Sequence, residues 1–218
     1  MRYLAPSILS ADFSNLAQQI KYAEVGGADF IHCDIMDGQF VPNITFGPLV
    51  VEAVNRSTNL PLDVHLMINN ADHFIEQFAK AGADFLTVHQ ENNIHLDRTV
   101  SYIKSLGVKA GVSINPATPV SVLTEILQFA DMILVMTVNP GFGAQKFIPS
   151  TLKKVEELRN LKEKKGYSYL IEVDGGVNKN TVTDIVNAGC EVFVAGNSVF
   201  GSDNISAATM ELKNLINR

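Results

Sequence analysis

A chain of 218 residues with 46% hydrophobic side chains can bury one sizeable core, and one domain spanning residues 1–218 is expected. The formal net charge of −6, with the basic residues scattered, excludes the clustered Lys and Arg surface that a nucleic-acid partner needs. No stretch approaches the roughly 20 apolar residues of a membrane span, and Met1 to Ser7 run straight into strand-like sequence without the core of a signal peptide. A soluble, cytoplasmic protein with no membrane partner is the expectation.

Short apolar runs alternate with amphipathic stretches along the chain. Leu4 to Leu9 is the first run, followed by a helical segment from Asn15 to Val25 in which Leu16, Ile20 and Ala23 share a face. Phe30 to Asp34 is the second. The third, Leu62 to Met67, precedes a helical segment from Asp72 to Ala81 with Phe74, Ile75 and Phe78 on one face. Five more follow: Phe85 to His89, Ala110 to Ile114, Met132 to Met136, Leu170 to Asp174 and Val192 to Gly196. Gly82, Gly107 and Gly189 fall where a helix must stop, as left-handed C-caps do. The junctions Gly27-Ala28-Asp29-Phe30, Gly82-Ala83-Asp84-Phe85 and Gly189-Cys190-Glu191-Val192 form a weak internal repeat. Lys162, Lys164 and Lys165 read as a solvated helix end. Eight strands alternating with eight helices in this length predict a closed (β/α)8 barrel, the TIM barrel, rather than an open doubly wound sheet.

Barrel chemistry sits at the C-terminal ends of the strands, and His32, Asp34, His65 and Asp174 all lie at or near those ends. Two imidazoles and two carboxylates suit a borderline or hard divalent metal. Burying two carboxylates together without a cation would be costly. The strand period places His32 and Asp34 on one face, with Asp63 and Glu172 on the faces of His65 and Asp174 as candidate anchors behind them. His73 and His95 have no partner in view, and His89 reads first as a hydrogen-bonded core histidine. Cys33 and Cys190, each inside an apolar segment, read as small buried hydrophobes in a reducing setting. Met36, Met67 and Met136 end strands in the inward register, either as gap fillers or as an unhydrated wall over the site. Glycine clusters follow the sixth, seventh and eighth runs, where barrels often hold phosphate on backbone N–H groups.

These stretches closely resemble the ribulose-phosphate 3-epimerases. The likeness rests on Ala5 to Asp12, His32 to Gly38, Phe40 to Asn43, Asp63 to Met67, Met136 to Gly143 and Glu172 to Val177, and it runs from end to end. It implies interconversion of D-ribulose 5-phosphate and D-xylulose 5-phosphate, a pentose-phosphate step catalysed by an isomerase. It implies one divalent metal ion, zinc foremost, with iron(II), manganese or cobalt also suited to these donors. By the family's motifs His32, Asp34, His65 and Asp174 would be metal ligands, with Asp34 and Asp174 also the acid/base pair. Ser7 and His65 would contact substrate. Phosphate would meet Gly141, Phe142, Gly143 and Ala144, then Gly175, Gly176 and Val177, then Gly196 and Asn197. Ala144 stands where the family commonly has another glycine. A homo-oligomer is the expected assembly.

The chemistry agrees with the residues. Inverting a hydroxyl-bearing carbon beside a ketone passes through a 2,3-enediolate whose two oxygens a divalent cation can bind, and reprotonation must come from the other face. Carboxylates on well-separated strands can flank that carbon. An epimerase of another ketose phosphate, such as allulose 6-phosphate, would keep every residue named. A metal-free phosphosugar isomerase or decarboxylase would not need the histidine pair, and a sugar-phosphate binding protein would not need two opposed carboxylates.

Overall fold

Each strand pairs in parallel with its neighbour in sequence, because a helix or turn carries the chain back along the outside before the next strand begins. The computed structural model describes residues 1–218. Its strands are β1 (Tyr3–Pro6), β2 (Ile31–Met36), β3 (Leu62–Met67), β4 (Phe85–His89), β5 (Lys109–Ile114), β6 (Met132–Met136), β7 (Leu170–Asp174) and β8 (Val192–Ala195). Ladders run from β2 to β8 and on to β1. Between β1 and β2 the ladder shortens to a bridge from Ser7 to His32 and a hydrogen bond from Phe30 N–H to the Leu4 carbonyl, which brings the ring to near closure. The expected (β/α) barrel is the observed fold.

The helices are α1 (Leu16–Val25), α2 (Pro48–Asn55), α3 (Ile75–Ala81), α4 (Leu96–Ser105), α5 (Leu152–Lys165), α6 (Val182–Ala188), α7 (Asn197–Phe200) and α8 (Ile205–Ile216). Their number matches expectation, but the alternation does not. Only a 3-10 turn, Val120–Leu123, lies between β5 and β6, while both α7 and α8 follow β8. Pro116 and Pro119 hold the start of that connection away from helical geometry. Along α1, Ile20 and Ala23 are buried and Leu16 packs against the core; near α3, Ile75 and Phe78 are buried but Phe74 is 39% exposed. A 3-10 turn over Ala71–His73 breaks the expected helix there and rotates Phe74 off the inner face. Gly82, Gly107 and Gly189 all adopt positive φ at helix ends.

The repeated junction has a physical reason. Asp29, Asp84 and Glu191 each donate their backbone N–H to one residue of the preceding strand and accept that residue's N–H on their carboxylate; the residues held are Leu4, Leu62 and Ile171. Asp131 does the same to Ala110, although no glycine marks it in the sequence. Four acidic residues at the entries to β2, β4, β6 and β8 therefore clamp the starts of β1, β3, β5 and β7.

Most of the core, a cluster of 52 buried residues, lies between the outer faces of the strands and the helices. Cys33 and Cys190 are buried and free, both within that layer. Inside the barrel an apolar group including Ala5, Phe30, Phe85, Met132 and Val192 fills the lower end, with the Phe30 and Phe85 rings 5.6 Å apart. Above it the lumen becomes polar, and the site begins there. No helix is long and apolar enough to cross a membrane.

Candidate active site

Strand register assembles the four expected donors. In the β2–β3 ladder His32 pairs with Asp63 and Asp34 with His65, so two histidines and two carboxylates alternate on one inward patch. Asp174 ends β7, on the far side of the ring from β3. An eight-stranded barrel is only wide enough for side chains to fill, so residues from opposite walls touch. His65 Nδ1 is accordingly 3.9 Å from Asp174 Oδ2. One ligand atom from each of His32, Asp34, His65 and Asp174 lies within 4.8 Å of the others.

The donor set fits a cation. Asp34 Oδ1 is 3.2 Å from both His32 Nε2 and His65 Nδ1, and its Oδ2 accepts the Ser7 hydroxyl. His32 Nδ1 donates to Asp63 Oδ2 at 2.6 Å, turning Nε2 toward the cluster. Carboxylate oxygens and the free nitrogens of neutral imidazoles are all acceptors, and their convergence needs a proton or a metal between them. The anchor residues behave unevenly. Asp63 holds His32 on the neighbouring strand rather than His65 on its own, while both Glu172 oxygens lack a hydrogen-bond partner.

Charges divide accordingly. Burial pushes the Asp34 carboxyl up, but the His32 charge and hydrogen bonds to both histidines outweigh it and hold Asp34 well below the usual range. Burial opposes charge on His32 too, yet Asp34 and Asp63 raise its pKa well above the ordinary value. Burial brings His65 down to about 4 despite its bond to Asp34. Asp174 is pushed up to about 8, first by burial and then by the Asp34 charge. Burial and the Asp63 charge likewise raise Glu172 well above the carboxylate range.

A cavity of about 370 Å³ opens directly over this patch. Ser7, Asp34 and Asp174 border it, as do Met36, Met67 and Met136. Its other wall gathers Gly141, Phe142, Gly143 and Ala144, then Gly175, Gly176 and Val177, then Gly196 and Asn197, so all three expected glycine loops face one space. No Lys or Arg lines it, so an anion there would be held by uncharged donors, the backbone N–H groups of the glycine loops among them. Gly175 illustrates the constraint: at φ +114, a Cβ would stand 2.5 Å from the Val138 side chain. Ala144, at φ +57, occupies a left-handed conformation that suits glycine. His32 and His65 are fully buried beneath the floor and do not line the cavity.

His89, read from the sequence as a hydrogen-bonded core histidine, is that and also joins the cluster, together with Glu91, which the sequence did not single out. His89, at the end of β4, places Nε2 2.8 Å from His65 Nε2, and Glu91 takes its Nδ1 at 3.0 Å. For His89 the inward register at the end of β4 was the available signal; Glu91 lies in the turn that follows and has none. His73 and His95 are exposed and stand apart.

Comparison with known proteins agrees with this arrangement. The model of the ribulose-phosphate 3 epimerase family matches residues 3–200. The chain belongs to that family. It is therefore an isomerase of the 3-epimerase type. Among relatives, the ribulose-phosphate 3-epimerase of Bacillus subtilis (strain 168) is 56% identical over 96% of this chain and 97% of its own. The chloroplastic ribulose-5-phosphate-3-epimerase of Arabidopsis thaliana is 50% identical, covering 96% of this chain and 75% of its own. Among solved structures, a 3-hexulose-6-phosphate synthase aligns with a TM-score of 0.73 at 19% identity, over 98% of this chain and 99% of that one. KGPDC from Streptococcus mutans aligns with a TM-score of 0.73 at 14% identity, over 100% of this chain and 98% of that one. At such identities the likeness concerns the fold alone.

Proposed function

We propose that this epimerase interconverts D-ribulose 5-phosphate and D-xylulose 5-phosphate by passing the proton at C3 between two carboxylates beside a divalent cation. The observation that carries the reading is that Asp34 and Asp174, from distant strands, border one cavity together with the three glycine loops. His32, Asp34, His65 and Asp174 would hold the cation, and zinc, iron(II), manganese or cobalt suits the set. When bound, the cation stabilises the negative charge that develops on two adjacent substrate oxygens.

Asp34 and Asp174 approach the reacting carbon from different sides, so one can remove the proton and the other deliver one to the opposite face. Without a cation, the histidines hold the Asp34 carboxyl low while burial and the Asp34 charge raise that of Asp174, so the site already treats the two carboxyls differently. Ser7 fixes the outer oxygen of Asp34 and borders the substrate space. The phosphate rests on backbone N–H groups of Gly141 to Ala144, Gly175 to Val177 and Gly196-Asn197. The three methionines wall the reacting carbon with sulfur and methyl groups that donate no competing proton.

The test is turnover of D-ribulose 5-phosphate by metal-loaded protein in heavy water, compared with allulose 6-phosphate. Deuterium at C3 of the product and faster turnover of the pentose are expected. In metallated Asp174→Asn, one epimer should still exchange its C3 proton through Asp34 while conversion stalls, and Asp34→Asn should give the mirror pattern. Loss of exchange for both epimers in one variant, with both retained in the other, would mean that one base serves both faces. Activity that survives thorough chelation would remove the cation from the mechanism.

A further inference from the structure

The end of β4 adds a residue to the site. His89 is fully buried, and its ring lies within 28° of the His65 plane with the two Nε2 atoms 2.8 Å apart. At that distance a single proton sits between the nitrogens, and its position fixes the tautomer of both rings. Glu91 supplies the direction. Its Oε2 faces His89 Nδ1 at 3.0 Å, and its Oε1 accepts the Asn115 N–H at 2.7 Å and the Thr118 hydroxyl. A carboxylate only accepts, so His89 Nδ1 carries a proton.

When His65 Nδ1, the atom that faces Asp34 and Asp174, turns its lone pair to a cation, the one proton of the neutral ring lies on Nε2, where His89 Nε2 accepts it. Without a cation, Asp34 Oδ1, 3.2 Å away, competes for a proton at that same Nδ1. We infer that His89 is a positioning residue: held by Glu91, it locks His65 in the tautomer that presents a lone pair to the cluster and so strengthens divalent-cation binding. The inference rests on the proposed reading that His65 is a ligand.

Neighbouring residues hold the relay in place. Phe40 covers His89 with ring centroids 4.7 Å apart. Lys154 on α5 donates to the carbonyls of Asn115, Pro116 and Thr118 at 2.6 to 2.8 Å, pinning the loop that seats Glu91. An orienting partner behind a metal-bound histidine is worth about 10–100-fold in metal affinity.

Two measurements test the assignment. In zinc-loaded protein labelled with ¹⁵N at histidine, His65 should carry its proton on Nε2 with zinc on Nδ1, and His89 should be protonated at Nδ1 alone. A proton on His89 Nε2 overturns the inference without any variant. By competition with a chelator, His89→Leu should bind zinc about 10–100-fold more weakly. His89→Gln should restore the affinity, since its amide oxygen can accept from His65 while its amide N–H donates to Glu91. Equal zinc affinity in the parent and His89→Leu also overturns it. Failure of the parent to bind zinc would overturn the proposed function itself, a result distinct from the other two.

Discussion

Ala144 holds a conformation that its side chain disfavours. A left-handed backbone costs an L-residue about 1–2 kcal/mol, partly offset because glycine loses more freedom on folding, by about 0.5–1 kcal/mol. Ala144→Gly should therefore stabilise the protein by about 0.5–1 kcal/mol and raise Tm by about 1–4 °C. A fall in Tm by calorimetry would mean that the methyl group makes contacts that outweigh the strain. The same scale governs metal uptake. With the Asp174 pKa raised to about 8, the protonated form is favoured by the metal-free fold. Its contribution to stability is full below the unfolded carboxyl pKa of about 4 and is lost as pH rises through about 8. Ligation requires the opposite state. The apparent affinity for zinc should thus increase by about one to two powers of ten per pH unit up to about pH 8, the second proton coming from His32. Calorimetry in buffers of different ionisation enthalpy counts the protons released, and a count of zero would rule out displacement of either one.

At the scale of elements, the acidic clamps determine where alternate strands begin. Asp131 accepts the Ala110 N–H at 2.9 Å and the Lys104 ammonium at 3.0 Å, and its side chain is 31% exposed. Asp131→Ala should cost about 1–2 kcal/mol, because it leaves a strand-end N–H without its acceptor, and Tm should fall by about 2–8 °C. Asp131→Asn keeps an acceptor oxygen and should retain most of that stability. If both variants melt alike, the charge pair with Lys104 matters more than the backbone clamp. The clamps join β1 to β2, β3 to β4, β5 to β6 and β7 to β8, whereas the β2–β3 ladder between two of these pairs places Asp34 beside His65.

For the whole molecule, the four candidate ligands tie β2, β3 and β7 together across the lumen. Anything that binds only the folded state stabilises it, by about 2.7 kcal/mol at a free concentration one hundred times Kd. Zinc at that excess should raise Tm by about 5–11 °C, with a chelator reversing the shift. The increment should nearly vanish in His65→Ala, while Tm of the metal-free variant stays near that of the parent if the barrel packs independently. An undiminished increment in the variant would place the cation elsewhere.

Strand order, the barrel and the four donors were legible in the sequence because they follow local rules. A period of two assigns each strand residue to a face, and β3, β4, β6 and β7 begin and end as their apolar runs do. The three glycine loops were legible for a similar reason: the motif residues are contiguous. The partner of Asp63 was not, since His32 is distant in the chain; the 3-10 turn after β5 and the exposure of Phe74 have local causes, in Pro116 and Pro119 and in the Ala71–His73 turn, that hydrophobic periodicity does not register. His89 shows the limit best. Its sequence context is an ordinary buried strand end, and only the pairing of β4 beside β3, with the 115–118 loop over Glu91, makes it a partner of His65. Local chemistry decided which side chains point inward; the tertiary structure decided which of them share a proton, because a hydrogen bond depends on separations of tenths of an ångström that no spacing along the chain encodes.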